Sequence, residues 1–323
     1  MRAIFAKTPG GPAVLELREV PDPTPRDEQV LVDVHATALN RADLLQRRGL
    51  YPPPPGEPES LGLECAGVVA AVGARVSRFR PGDRVMALLG GGGYAERAVV
   101  HERVALPVPE GLSFTEAAAL PEAFLTAQEA LFSVGKLEPA ETLLIHAAAG
   151  GVGSAAVQLA LLHGARVLAT TGSDEKAALV RSLGATRVVN YKKEDFAEVS
   201  EREGLRPALI VDFVGASYWE RHARILPRGG RVVVLGLLGG KKVEVDLSRL
   251  LSLGQRIEGM VMRTRTQEEK IALSERFASR FLSSFPHALR PIVDSVFDWH
   301  DVARAHERME SNENLGKIVL EIR

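Results

Sequence analysis

The chain has 323 residues, 46% of them hydrophobic, with 40 Lys and Arg against 41 Asp and Glu for a formal net charge of −1. That length suffices for a sizeable core in two domains, and the balanced charge excludes a broad field that would collect nucleic acid or an anionic membrane. The single cysteine, Cys65, excludes an internal disulfide and leaves a zinc site to rely on His, Asp and Glu; with no apolar run of membrane-spanning length and no signal-peptide core in "MRAIFAKTPGG", the expectation is a cytoplasmic enzyme.

The first part is rich in Pro and Gly and carries short apolar runs, "RAIFAK", "LELREV", "QVLVDVHATAL", "CAGVVAAVG", "DRVMALL" and "YAERAVV", separated by turn chemistry such as Pro81-Gly82-Asp83. Such a pattern predicts a compact β-rich domain. The prolines of "YPPPPGEPES", residues 51 to 60, disfavour helix and central strand and leave a stiff extended loop.

After about Leu120 the pattern changes. Strand "ETLLIHA" precedes a helix from Val152 to Leu162, then strand "ARVLATT", a helix from Ser173 to Leu183 and strand "TRVVN". A polar helix from about Lys193, strand "ALIVDFVG", a helix from Ser217 to Leu226, and strands "RVVVLGLL" and "RIEGMVM" follow. Strands alternating with helices, and continuous Val/Leu/Ile runs, indicate a parallel sheet covered on both faces. The expected fold class is α/β, a Rossmann doubly wound domain over residues 121–262. The tail carries a helix near Gln267 to Leu282, the run "PIVDSVFDW", a helix from about Asp301 to Met309 and strand "GKIVLEI". It is expected to return to the first domain, so that residues 1–120 and 263–323 form one discontinuous domain.

Within "LIHAAAGGVGSAAVQLA", residues 144 to 160, a strand, a small-residue turn and a helix follow one another. A helix N-terminus offers free N–H groups and a favourable dipole to a pyrophosphate. Gly151 and Gly153 fit close phosphate approach and close helix packing; Gly150 adds room, Val152 lies between, and Ala148 in place of the first glycine is tolerable while its φ stays negative. At the end of the second strand, "TTGSDEK" lacks the acid that accepts from a ribose 2′-OH. Ser173 leaves space for a phosphate and Lys176 supplies a positive charge, so NADPH is the expected cofactor, against which Asp174 and Glu175 count a little.

These residues, with "ALNRADLLQRRGLYPPPPGEPESLGLECAGVV", "PEAFLTAQEAL" and "ENLGKIVLEI", resemble the zinc-free quinone oxidoreductase branch of the medium-chain dehydrogenase/reductases, especially its p53-inducible type. The resemblance covers essentially the whole chain and implies a GroES-like catalytic domain beside the Rossmann domain. Where zinc-dependent relatives carry cysteine, histidine and cysteine, this chain has Asn40, Leu63 and Glu122, and "MALLGGGGYAERAVV" passes through without their four-cysteine lobe. The resemblance therefore implies no metal.

By the same resemblance, Asn40 and Tyr51 lie near the nicotinamide and the acceptor, Tyr51 stacking on a planar quinone or, in the competing reading, packing on its neighbouring prolines. Thr126, from a helix start, contacts the nicotinamide. Tyr191 meets the adenosine 2′-phosphate, Leu237 and Met262 line the cofactor site through backbone contacts, and Asn314 and Lys317 form a C-terminal pair reaching the cofactor. His146, Asp43, Glu64 and Asp212 are taken as structural.

Without a Lewis acid, hydride delivery suits an acceptor that is already electron-poor. The expectation is an NADPH-dependent quinone oxidoreductase passing a hydride or electrons to a quinone. Alternatives are an NADPH-dependent reductase of α,β-unsaturated ketones and aldehydes, which needs an acid for the α-carbon, and a low-turnover NADPH-binding structural or RNA-binding protein. No nucleic-acid or membrane partner is expected. A homodimer or homotetramer is implied, with "RVVVLGLL" and "KKVEVDL" pairing across a two-fold axis.

Overall fold

The computed structural model describes residues 1 to 323. The chain divides into two compact units, one of Met1–Leu125 with Met262–Arg323 and the other of Thr126–Val261. No helix is long and apolar enough to cross a membrane.

The first unit opens with strands β1 (Arg2–Ala6), β2 (Leu15–Glu19) and β3 (Gln29–Ala38), then helix α1 (Arg41–Arg47) and strands β4 (Glu64–Val72), β5 (Arg84–Leu88), β6 (Arg97–His101) and β7 (Leu106–Pro107). Helix α2 (Phe114–Ala118) follows, and then helix α3 (Pro121–Gln128), which begins in this unit and ends in the second. Ser113 caps α2, its side chain accepting from the Glu116 N–H, while the Glu116 carboxylate accepts from the Ser113 N–H.

The second unit holds β8 (Thr142–Ile145), α4 (Gly151–Leu162), β9 (Arg166–Thr171), α5 (Asp174–Ser182), β10 (Arg187–Asn190), α6 (Phe196–Arg202), β11 (Leu209–Asp212), α7 (Trp219–Ile225), β12 (Arg231–Val234), α8 (Leu247–Leu253) and β13 (Arg256–Gly259). The chain returns to the first unit with α9 (Gln267–Phe281), β14 (Val293–Asp298), α10 (Val302–Glu310) and β15 (Lys317–Glu321).

In the second unit six strands lie in the order β10-β9-β8-β11-β12-β13, and all five pairings are parallel. Renumbered within the sheet the order is 3-2-1-4-5-6, the doubly wound arrangement whose direction of growth reverses beside its first strand, here β8. All four residues of β8 and of β11 are buried, as continuous apolar runs demand of a sheet covered on both faces. Leu144, Leu168, Val189, Ile210 and Val232 pack with Phe196 and Ile225 into its core.

The first unit is built on a seven-stranded sheet in which β3 pairs antiparallel with β4, β6 and β15. Residues alternating along β3 enter a core of Val30, Val32, Val34, Cys65, Val69 and Val85. Burial pushes the Cys65 thiol up to about 12, so it behaves as a small apolar side chain. Since β15 pairs with Ala36 to Ala38 of β3, the C-terminal strand brings Lys317 to the end of β3, where α1 begins.

One expected strand is shortened: β12 ends at Val234, short of "LGLL". Within a single chain "KKVEVDL" forms no strand.

Candidate functional site

In the second unit, β8 runs into a turn where Ala147 has φ of 49° and the Gly150 N–H donates to the Ala147 carbonyl over 3.0 Å. The left-handed residue is thus Ala147, and Ala148 keeps a negative φ. A Cβ on Gly153 would stand 2.3 Å from the Ala147 oxygen and 2.7 Å from the Ala148 Cα, so only glycine lets α4 approach the turn this closely. Gly150 is the N-cap of α4, with Gly151, Val152 and Gly153 as its first helical residues. The N–H groups of a first helical turn have no partner within their helix, and such an end, with a built turn beneath it, is a candidate anion site.

The ends of β9 and β10 lie side by side, Asn190 in register with Thr171. Ser173 caps α5, its Oγ accepting from the Lys176 N–H over 3.2 Å. Tyr191 is exposed, and its hydroxyl lies over Gly172, where a Cβ would meet it at 2.5 Å. Asp174, the acid that weighed against a phosphate here, accepts from Lys193 Nζ at 2.6 Å and from Asn190 Nδ2 at 2.9 Å. Those bonds hold its carboxyl below the usual range and offset its charge with a lysine. Ser173, Lys176 and Tyr191 therefore gather at one strand end.

Thr126 is buried and its hydroxyl has no hydrogen-bond partner. It stands in the second turn of α3 and not at a helix start. An orphaned buried hydroxyl is uncommon and fits a group that completes its bonding with a ligand. Directly after it the chain adopts a π-helical turn over Glu129–Val134, a feature often found at functional sites. Leu237 is exposed in the loop after β12, its carbonyl accepting from the Gly240 N–H. Met262 is buried in the first unit and its carbonyl accepts from the Arg265 N–H, so that carbonyl is already engaged.

In the first unit, Asn40, Glu64, Glu122 and Lys317 meet. Lys317 Nζ donates to the Leu39 carbonyl at 2.7 Å, to Asn40 Oδ1 at 2.6 Å and to Glu64 Oε1 at 2.7 Å. All three of its N–H bonds are made within this cluster. Asn314, its expected partner, turns its amide to the Gly316 carbonyl. Asn40 Nδ2 donates to Glu64 Oε1 at 2.8 Å and to the Ala38 carbonyl at 3.2 Å, leaving the amide only acceptor capacity for a ligand. Glu64 Oε2 accepts from the Glu122 N–H at 2.8 Å. Asp43 is fully buried and accepts from the Asn40 and Gly62 N–H groups; burial raises its carboxyl to about 6 against the effect of those bonds.

Tyr51 is half-buried beside this cluster. The Arg263 guanidinium lies 5.3 Å from its ring centre and donates to the Tyr51 carbonyl, the Gly90 carbonyl and Gln46 Oε1. Thus Arg263, and not proline packing alone, fixes Tyr51. Burial, then the nearby Glu122, raises the phenol above its usual range while Arg263 opposes them. Nothing in the local pattern around "MRTR" marks Arg263. The pairing of Glu64 with Lys317 left a trace, because each is a charge inside an apolar run and a buried charge requires a partner.

The positions that hold zinc in zinc-dependent relatives do not suit the metal here. They carry an amide, the buried Leu63 and a carboxyl, with a lysine ammonium already seated on the oxygens of Asn40 and Glu64.

A second group of ligand-type side chains, His146, Asp212 and His222, is buried in the second unit. His146 Nε2 and His222 Nε2 are 2.7 Å apart, and His146 Nδ1 is 2.8 Å from Thr170 Oγ1. Asp212 accepts from the Val214 and Gly215 N–H groups and lies 3.9 Å from His222 Nδ1. The rings share a hydrogen bond that two metal-bound nitrogens could not keep. Burial holds His222 down to about 3 and His146 well below its ordinary value, so the pair is neutral and structural.

Residues 26–110 match the alcohol dehydrogenase GroES-like domain family and residues 151–279 the zinc-binding dehydrogenase family. The chain is 34% identical over 326 residues to a quinone oxidoreductase of Rattus norvegicus, covering 99% of this chain and 97% of that protein. Its structure is similar to that of Escherichia coli quinone oxidoreductase complexed with NADPH, with a TM-score of 0.86, 32% identity and 100% of each chain covered. It is also similar to the CurK enoyl reductase, with a TM-score of 0.86 and 28% identity over 100% of this chain and 99% of that one.

Proposed function

The chain belongs to the medium-chain dehydrogenase/reductase superfamily, with quinone oxidoreductases among its full-length relatives, and on that premise we propose that this oxidoreductase transfers a hydride from NADPH to a quinone without a metal ion. The observation that carries the reading is the Lys317 ammonium bonded to Asn40 and Glu64, where a zinc-dependent relative would place a Lewis acid. With no metal to polarise a carbonyl, the acceptor must already be electron-poor.

NADPH is supported by the turn at Ala147 to Gly153, the orphaned Thr126 hydroxyl, and Ser173, Lys176 and Tyr191 beside an Asp174 whose charge Lys193 offsets. The dihydronicotinamide would supply the hydride; the chain's part is to bind, orient and exclude water. Tyr51, its hydroxyl without a partner in the chain, is placed to stack on a flat acceptor.

A second reading, reduction of an activated alkene, is favoured by the likeness to an enoyl reductase and by the carboxyl of Glu122. The assembly we propose is a homodimer or homotetramer formed along α8 and β13, where Leu251 and Leu247 of α8 are 86% and 72% exposed and Ile257 of β13 is 40% exposed. We place the enzyme in the cytoplasm.

Steady-state oxidation of NADPH and NADH across a panel of quinones, enones and alkenals tests the function. Turnover with NADPH on quinones is expected; faster turnover on enones selects the second reading, and tight NADPH binding without turnover on any acceptor overturns both in favour of a binding protein.

A further inference from the structure

We propose that Glu122 is the general acid that protonates the acceptor once it has received hydride, an inference that rests on the reductase reading above. Four observations carry it. Glu122 is partly open to solvent, whereas Glu64, Lys317, Asp43 and Arg263 beneath it are buried. Its backbone is pinned by the bond from its N–H to Glu64 Oε2 at 2.8 Å, which fixes the start of α3 against the cluster. Its carboxyl has no hydrogen-bond or ion-pair partner: Lys317 is spent on Leu39, Asn40 and Glu64, and Arg263 turns three of its five N–H groups to Tyr51, Gly90 and Gln46. And it lies close enough to Tyr51 for its charge to raise the phenol.

The charged groups facing Glu122 come from every element around it. Glu64 of β4 and Asp43 of α1 disfavour a second carboxylate; Lys317 of β15 and Arg263 favour one. The dipole at the start of α3 also favours the ionised form. Burial and then Glu64 prevail, and the carboxyl is pushed up to about 8. At neutral pH Glu122 therefore carries a proton it can give away.

The step balances as follows. Hydride adds to the quinone, or to the β-carbon of an enone, and supplies both electrons. The hydroquinone anion or enolate so formed takes the proton from Glu122, a new O–H or C–H bond replaces the carboxyl O–H, and the carboxylate left behind recovers a proton from solvent.

Two readouts test this. In the protein without cofactor, carbon-13 NMR of labelled glutamate side chains should show one carboxyl titrating near pH 8 and missing in Glu122→Gln; a Glu122 titration near 4 overturns the proposal whatever the enzyme's activity. In wild type kcat should fall above pH 8. Glu122→Gln should lose about 100-fold or more in kcat and that pH limb, with unchanged NADPH affinity; Glu122→Asp, tested with it in case the amide fails to fold, should keep part of the rate and a shifted limb. Wild-type turnover with an unaltered rate and profile in folded Glu122→Gln overturns the role of Glu122 and leaves the reductase reading standing. Absence of wild-type turnover on every acceptor overturns the reductase reading and this role with it, while the titration still reports where the proton sits.

Discussion

Replacing Lys317 by Met removes the one ammonium bonded to the Glu64 carboxylate, in a site where Lys317 is 4% and Glu64 0% exposed. Breaking one partner of a buried pair costs about 3–5 kcal/mol, because the remaining charge is neither paired nor hydrated. Two donors stay on Glu64, Asn40 Nδ2 and the Glu122 N–H, so the lower end, about 3 kcal/mol, is expected. Trp299 is buried in the same unit and Trp219 lies in the other, so a Trp219→Phe background makes Trp299 fluorescence report this unit alone. With a urea m-value of about 2 kcal/mol/M, the midpoint should fall by about 1.5 M. The paired change Lys317→Met with Glu64→Gln, which removes both charges, should recover at least half of that loss. A midpoint within about 0.3 M of wild type for Lys317→Met, or no recovery in the pair, would refute the claim that Lys317 exists to hold Glu64.

Lys176→Ala should weaken NADPH binding about 10- to 100-fold, the worth of one charged phosphate contact, and leave NADH affinity unchanged; calorimetry showing equal losses for both, or none, removes the phosphate assignment. His222 and His306 are each held to about 3 by burial, against about 6.5 unfolded. The unfolded chain binds more protons below that value, so stability is full above about pH 6.5 and drops by up to about 1.4 kcal/mol per pH unit per histidine as pH falls toward 3; a His222 or His306 ring titrating near 6.5 in the folded protein contradicts this. Leu251→Glu, on the exposed face beside β13, should shift sedimentation from the dimer or tetramer to a monomer with unchanged melting of each unit, and an unaltered oligomer places the interface elsewhere.

The phosphate turn was legible because its physics is local. A strand, small residues and a helix within 17 residues say where backbone must approach backbone, and Gly153 bears the contact that reading assigned to it. The refinement, that Ala147 and not position 148 takes the left-handed conformation, lies in dihedral angles no residue name encodes. Helices α1, α2 and α8, each two turns or shorter, were missed; α6 and α7, equally short, were legible only from the alternation of strand and helix around them. The Lys317 bond to Glu64 joins residues 253 apart in sequence. The apolar runs around them say that each needs a partner, but only the pairing of β15 with β3 says which.

That pairing also explains why Glu122 and no neighbour holds a proton. Lys317 and Arg263 bring two positive charges to the cluster, and Glu64 and Asp43, the latter held to about 6, answer them with two negative ones at neutral pH. Burial, and then the Glu64 carboxylate, keep the Glu122 proton on to about 8 against the opposing charges of Lys317 and Arg263. A zinc site at the same positions would draw electrons from an oxygen; the lysine, neutralised by Glu64, cannot. What the exchange offers is a neutral acid near Tyr51. Such an acid does nothing for an unactivated alcohol or ketone but completes the reduction of an acceptor that takes hydride unaided. The order of events then follows from basicity: the oxidised acceptor is too weak a base to take the Glu122 proton, and only after hydride arrives does the product become basic enough. Proton transfer should therefore follow hydride transfer, so that the deuterium effect of solvent on kcat appears at the later step and the effect of deuterated cofactor at the earlier one.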